Sequence, residues 1–156
     1  MSRTSLIRPT MALLFLPVAT CAFAQEVRIE RSQMPAADQK TADEQSKGAT
    51  IRGYIMEIEG GQILYKVELT VNGHSKDVII DAKGNILKTK DEVALDKLSV
   101  AVREALQKKA ATGTIKRTES VTKHGSIVAY EAKVITNGKK TVVQVGPDGK
   151  PLDHEE

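Results

Sequence analysis

Apolar and polar residues alternate with period two along much of this chain. Ile63, Tyr65, Val67, Leu69 and Val71 share one parity, and Lys66, Glu68 and Thr70 the other, with Leu64 the one apolar residue on the polar side. That is the pattern of a strand with one buried face. Asn72-Gly73 follows, a pair that tolerates positive φ at both centres of a two-residue hairpin. Residues 76–82 read as the return strand, Asp81 to Gly84 as another turn, and 85–89 as a short further strand. Ahead of these, 49–59 reads as a strand with Ile51 and Ile55 on one side and Tyr54, Met56 and Ile58 on the other. Strands are again expected over 114–122, 127–136 and 140–145, with turns at Lys123 to Ser126, Asn137-Gly138 and Pro147-Asp148-Gly149.

Two stretches change period. Residues 34–47 predict a helix with Pro35 in its first turn, Gly48 at its end and a thin apolar stripe of Met34, Ala37 and Thr41. Residues 91–111 predict a longer helix: Leu95, Leu98, Val102 and Leu106 recur at helical spacing beside Ala101 and Ala105. Asp91 is placed to cap it, and Lys108 and Lys109 suit the negative end of its dipole.

The second half echoes the first. Met34 aligns with Leu98, Ala37 with Ala101, Ile51 with Ile115, Tyr65 with Tyr130, and Asn72-Gly73 with Asn137-Gly138. The expected fold is therefore α+β: two repeated units, each one helix packed on a three- or four-stranded antiparallel sheet, over 34–90 and 91–156. Residues 25–33 read as a leader.

The first 24 residues read as a signal peptide. Arg3 and Arg8 precede an apolar run too short to span a bilayer, and Ala22-Phe23-Ala24 offers small residues for cleavage before Gln25. A lipoprotein signal at Cys21 is a poorer match, because Thr20 precedes the Cys. Cleavage after Ala24 removes the single Cys, so the exported chain carries no disulfide or thiol chemistry. It also removes Arg3 and Arg8, leaving 21 basic against 20 acidic residues. That balance gives no electrostatic case for nucleic acid. Aromatics are only 3% and Trp is absent, so the core must be aliphatic.

With Ala49-Thr50-Ile51, Tyr65-x-Val67, Asn72-Gly73 and the run Val78 to Leu87 placed, the chain resembles tandem PepSY or PepSY-like modules. The architecture is similar to that of beta-lactamase inhibitor proteins. Ser99, standing where Pro35 does, and Gly146, standing where Asp81 does, depart from the pattern in the second copy. The resemblance implies an exported protein that binds or restrains an enzyme such as a protease, and it brings no catalytic residues.

The chemistry-bearing residues support no reaction. His74 and His124 fall in turns and His154 in the last residues, without the convergent spacing a metal site needs. Asp81 to Asn85 lacks the alternating carboxylates of a calcium loop. The serines lie in no Gly-x-Ser-x-Gly elbow, and no Gly-rich loop is placed to cradle phosphate. No cofactor is implied. The expected function is non-enzymatic binding of a cell-envelope protein, with a small-ligand or metal-responsive envelope protein as the alternative. Arg52, Tyr54, Met56 and Lys66 are the expected contact residues, placed on the helix-free side of the sheets. Leu64 and Ile79, apolar on otherwise polar strand faces, are expected to form a seam between units or an exposed patch.

Overall fold

The structure is a computed structural model that describes residues 25–156. The expected signal peptide and Cys21 lie outside the described residues. In chain order the elements are β1 (Gln25–Ile29), α1 (Ala36–Gln45), β2 (Thr50–Glu59), β3 (Gln62–Val71), β4 (His74–Asp81), β5 (Ile86–Glu92), α2 (Val100–Ala110), β6 (Thr114–Lys123), β7 (Ser126–Thr136) and β8 (Lys139–Val145). Single 3-10 turns at Arg31–Gln33 and Leu95–Lys97 precede the two helices. The hairpin reading of the turns is met: Asn72 and Gly73 have φ of 51° and 85°, and Asn137 and Gly138 have φ of 51° and 80°.

All eight strands form one antiparallel sheet in which each strand pairs with its sequence neighbour. The sheet curls into a half-barrel. This corrects the expected α+β arrangement of two repeated helix-on-sheet units. The correction lies at residues 90–92. Asp91 and Glu92 carry charge and precede an apolar helical stripe, so they read as the start of a long helix. Instead β5 runs on to Glu92 and pairs with β6, Thr89 opposite Thr122 and Glu92 opposite Glu119. Helix α2 starts only at Val100, where the Ser99 hydroxyl accepts from the Val102 N–H. The leader also joins the sheet, with Val27 opposite Met56 and Ile29 opposite Tyr54.

Both helices cover the same face. Under α1, Met34 and Ala42 pack with Tyr65, Val67, Leu69, Val78 and Ile80. Under α2, Leu98, Val102, Leu106 and Ala110 pack with Ala132, Val134 and Val145. Each fully buried aliphatic side chain there contributes about 1.5–3 kcal/mol. Tyr65 and Tyr130 pack on this face, as their shared parity predicts.

Candidate functional site

The other face has no helix, yet its centre is buried. Ile79 is 1% exposed, and Val121 and Ala129 are 0% exposed, although all three point away from α1 and α2. On a flat sheet such positions would meet water. Curvature and long flanking side chains close them off. Lys66 and Lys88 stand directly opposite Ile79 on the neighbouring strands, and their alkyl stems can cover it while their charged heads reach outward. Lys88 on β5 meets Glu59 on β2 at 3.2 Å. Three strand spacings are about 14 Å in a flat sheet, so this contact accords with β2 and β5 curling toward each other over β3 and β4. Leu64 and Ile79 are therefore neither an exposed patch nor a seam between separate units. They line this inward face.

Ion pairs cross the face, most of them skipping one strand. Arg28 on β1 donates to Glu68 on β3 (2.9 Å), and Lys66 on β3 donates to Glu26 on β1 (2.8 Å) while also pairing with Glu57 on β2. Arg52 on β2 reaches Ser75 Oγ (2.7 Å) and Asp77 (3.2 Å) on β4, and Arg117 on β6 reaches the same Ser75 hydroxyl (3.0 Å). The Ser75 N–H donates to Glu92 (2.7 Å). Lys90 on β5 holds Glu131 on β7 (2.9 Å), and Gln144 on β8 donates to the same carboxylate (3.0 Å). Glu119 lies 2.7 Å from Arg117 Nε and 3.1 Å from Lys133 Nζ.

Burial shifts the acids in this network. Burial, then the hydrogen bond to Glu131, push Glu119 up to about 7, against the charges of Lys133 and Arg117. Burial would raise Glu131 as well, but the Lys90 charge and the surrounding donors hold it below the usual carboxylate range. Burial likewise raises Glu57, against the opposing Lys66.

The four expected contact residues divide between the faces. Tyr54 and Met56 pack against the core under α1. Arg52 and Lys66 lie on the helix-free face. Parity alone would keep Arg52 with Tyr54 and Met56, but a one-residue bulge between Ile51 and Gly53 turns it to the other side. The same kind of bulge falls between Ile115 and Arg117 in β6. Sequence reasoning missed Arg117, Glu119, Glu131 and Gln144. The signal for the two glutamates was their strand parity opposite Tyr130.

Chemically, the face offers charge and hydrogen bonding rather than an enclosed chamber. Two depressions, of about 200 and 150 Å³, are small for a substrate cleft. One is bounded by Lys109, Gln144 and residues 152–155, the other by residues 92–95 and 115–118. Among the described residues no three His, Cys, Asp or Glu side chains converge as metal ligands, and no helix is long and apolar enough to cross a membrane.

No family model matches the chain, and no curated protein matches it in sequence. Solved structures do resemble it. A DUF2874 family protein from Bacteroides ovatus is 22% identical with a TM-score of 0.56, over 78% of this chain and 86% of that one. A protein from Bacteroides eggerthii inferred to be periplasmic is 16% identical with a TM-score of 0.57, over 75% and 84%. A BLIP-like protein from Bacteroides fragilis is 24% identical with a TM-score of 0.52, over 78% and 85%. At such identities the likeness extends to the fold, and the chain has the BLIP-like fold.

Proposed function

We propose that the chain is an exported, non-enzymatic binding module of the periplasm whose helix-free face receives another envelope protein, restraining an enzyme such as a protease. The observation that carries this reading is the inward face itself. It is broad, curved, lined by Arg52, Lys66, Lys90, Arg117 and Lys133, and left uncovered by either helix. Both helices pack on the opposite side, and the polar groups here are cross-linked above a floor of buried Ile79, Val121 and Ala129 into a preorganised surface, which lowers the cost of docking. The names of the similar structures, one BLIP-like and one inferred to be periplasmic, agree with this reading, as does the PepSY-like pattern of the sequence.

The test is site-specific crosslinking. A photoreactive residue at Lys133, on the helix-free face, is compared with one at Gln107, on the exposed side of α2. Periplasmic extract should give a discrete adduct with the first and not the second, identified by mass spectrometry. Equal labelling from both faces, or none from either, defeats the reading.

A further inference from the structure

The segment after β8 changes sides of the sheet. It first turns under α2: the Gly146 N–H donates to Lys150 O at 2.8 Å, and Gly149 lies against Ala101 and Val102. By Glu156 the chain has rounded the edge strand and lies on the helix-free face. There the Glu156 N–H donates to Gln144 Oε1 (2.9 Å), and Gln144 Nε2 donates back to Glu156 O (3.4 Å). Lys123 Nζ meets the Glu156 carboxylate at 2.5 Å.

A carboxamide that both donates to and accepts from one residue's main chain reads an extended backbone, as a strand edge does, without regard to side chain. Lys123 adds a requirement for a carboxylate. Its hydrogen bond holds Glu156 below the usual range, and the Lys88 charge acts in the same direction. Between the turn and this anchor, Asp153, His154 and Glu155 are exposed. Leu152 and Glu156, at its two ends, are half-buried.

The surface beside it is layered by charge. The side chains of Glu119 and Glu131 are at most 2% exposed, whereas Lys90, Arg117 and Lys133 above them are 21–35% exposed. An approaching chain therefore meets cations first.

Building on the binding reading above, we propose that residues 152–156 are a resident stand-in for the partner: the β5–β8 end of the helix-free face recognises an extended acidic stretch of another protein, which displaces this segment. A tethered occupant competes at about millimolar effective concentration, so it acts as a built-in competitor that only a segment with more contacts overcomes.

The blocked pentapeptide LDHEE, the sequence of 152–156, serves as probe, with LKHKK as control. Binding is followed by amide chemical shifts of Lys123 and Gln144. In the full chain carrying Glu156→Arg, which keeps its length but loses the anchor, LDHEE should bind about tenfold more tightly than to the unaltered chain. LKHKK should not bind. Adding Lys123→Glu should re-pair the segment and abolish the gain. If Glu156→Arg loses its dispersed amide spectrum, the chain lacking 152–156 replaces it. Equal binding of LDHEE to both chains, binding to neither, or equal binding of LKHKK overturns the proposal. An adduct in the crosslinking test that neither peptide competes with would leave the binding reading standing and this proposal refuted.

Discussion

Glu119 and Glu131 face each other directly across β6 and β7, and both carboxylates are out of solvent. Three cations, Lys90, Arg117 and Lys133, and the Gln144 amide surround them. One Glu119 oxygen, Oε2, accepts no hydrogen bond although Lys133 is near. The two acids are driven apart in pKa, with Glu119 raised to about 7 and Glu131 lowered.

The raised member sets the sign of a pH dependence. Between about 4.5 and 7 the folded chain binds more protons at Glu119 than the unfolded chain does, so this site makes stability fall as pH rises through that window. Above the window the penalty is constant. Glu131 acts oppositely: its contribution is present above the ordinary carboxylate pKa and is lost as pH falls below it. Glu119→Gln should remove the neutral-pH penalty and stabilise the fold by roughly 1–3 kcal/mol at pH 8. The gain should shrink toward pH 5. Urea denaturation of both chains across this range checks it, and a gain independent of pH would refute the assignment.

Asp38 gives a second prediction. It is fully buried in the first turn of α1, and neither carboxylate oxygen has a hydrogen-bond partner. Burial raises its pKa, and the Asp81 charge adds to this. The nearby Gly84 N–H pulls the other way without reaching hydrogen-bond geometry. Asp38→Asn should therefore raise stability at neutral pH by about 1–2 kcal/mol. The advantage should fade below pH 4, where the native Asp is neutral too. Thermal melts at pH 7 and pH 3.5 separate this from a simple packing effect.

Much of the fold was legible because its signals are local. The β3 alternation, the Asn-Gly turns and the packing of Leu98, Val102 and Leu106 each depend on a few neighbouring residues, and the structure keeps them. By contrast, Ile51 and Ile55, expected on one side of β2, fall on opposite faces, and Leu95 and Leu98 precede α2. Two things were not local. Asp91 and Glu92 bear the charges of a helix start, yet their backbone pairs with β6, a partner whose choice depends on the whole curl of the sheet. Arg52 sits on the parity of Tyr54 but faces the other way because of a bulge that its own sequence does not announce beyond the adjacent Gly53. The candidate face was harder still. Its residues are charged, and charge on a strand ordinarily marks solvent. Only the half-barrel makes Glu119 and Glu131 interior.

Gly84 and Gly149 hold matching places beneath α1 and α2. Both have positive φ, 86° and 81°. A Cβ on Gly84 would sit 3.0 Å from Ala37 O, and one on Gly149 would sit 2.7 Å from the Ala101 carbonyl. The obstacle in each case is helix backbone, which cannot swing aside. Gly149→Ala should cost about 2–4 kcal/mol and Gly84→Ala about 1–3 kcal/mol, combining left-handed strain with the clash. Because Gly149 seats the start of α2, hydrogen exchange in Gly149→Ala should rise first across α2 and β8. Uniform acceleration over both helices would mean that these glycines do not position their helices separately.

Lys66 carries the heaviest single load on the helix-free face. Glu26 and Glu57 are opposed on β1 and β2, and the Lys66 ammonium pairs with both. Burial alone would lower the Lys66 pKa, but the two carboxylates override it and the net shift is upward. Lys66→Met keeps most of the stem that covers Ile79 and removes only the charge. What remains is a buried Glu57 facing Glu26 with no cation between them. Breaking a buried pair this way costs about 3–5 kcal/mol, and the exposed Glu26 side chain places the expected loss near the lower end, about 3 kcal/mol at pH 7. Acidification should recover part of the loss as Glu57, whose pKa is already raised, takes up a proton. Lys66→Met with Glu57→Gln should recover most of it at neutral pH, since the uncompensated charge is then gone. Chemical denaturation of the two single variants and the double variant decides the matter. If the double variant is as unstable as the sum of the singles, Lys66 acts through packing, and the ion pairs are incidental to the curl of the sheet.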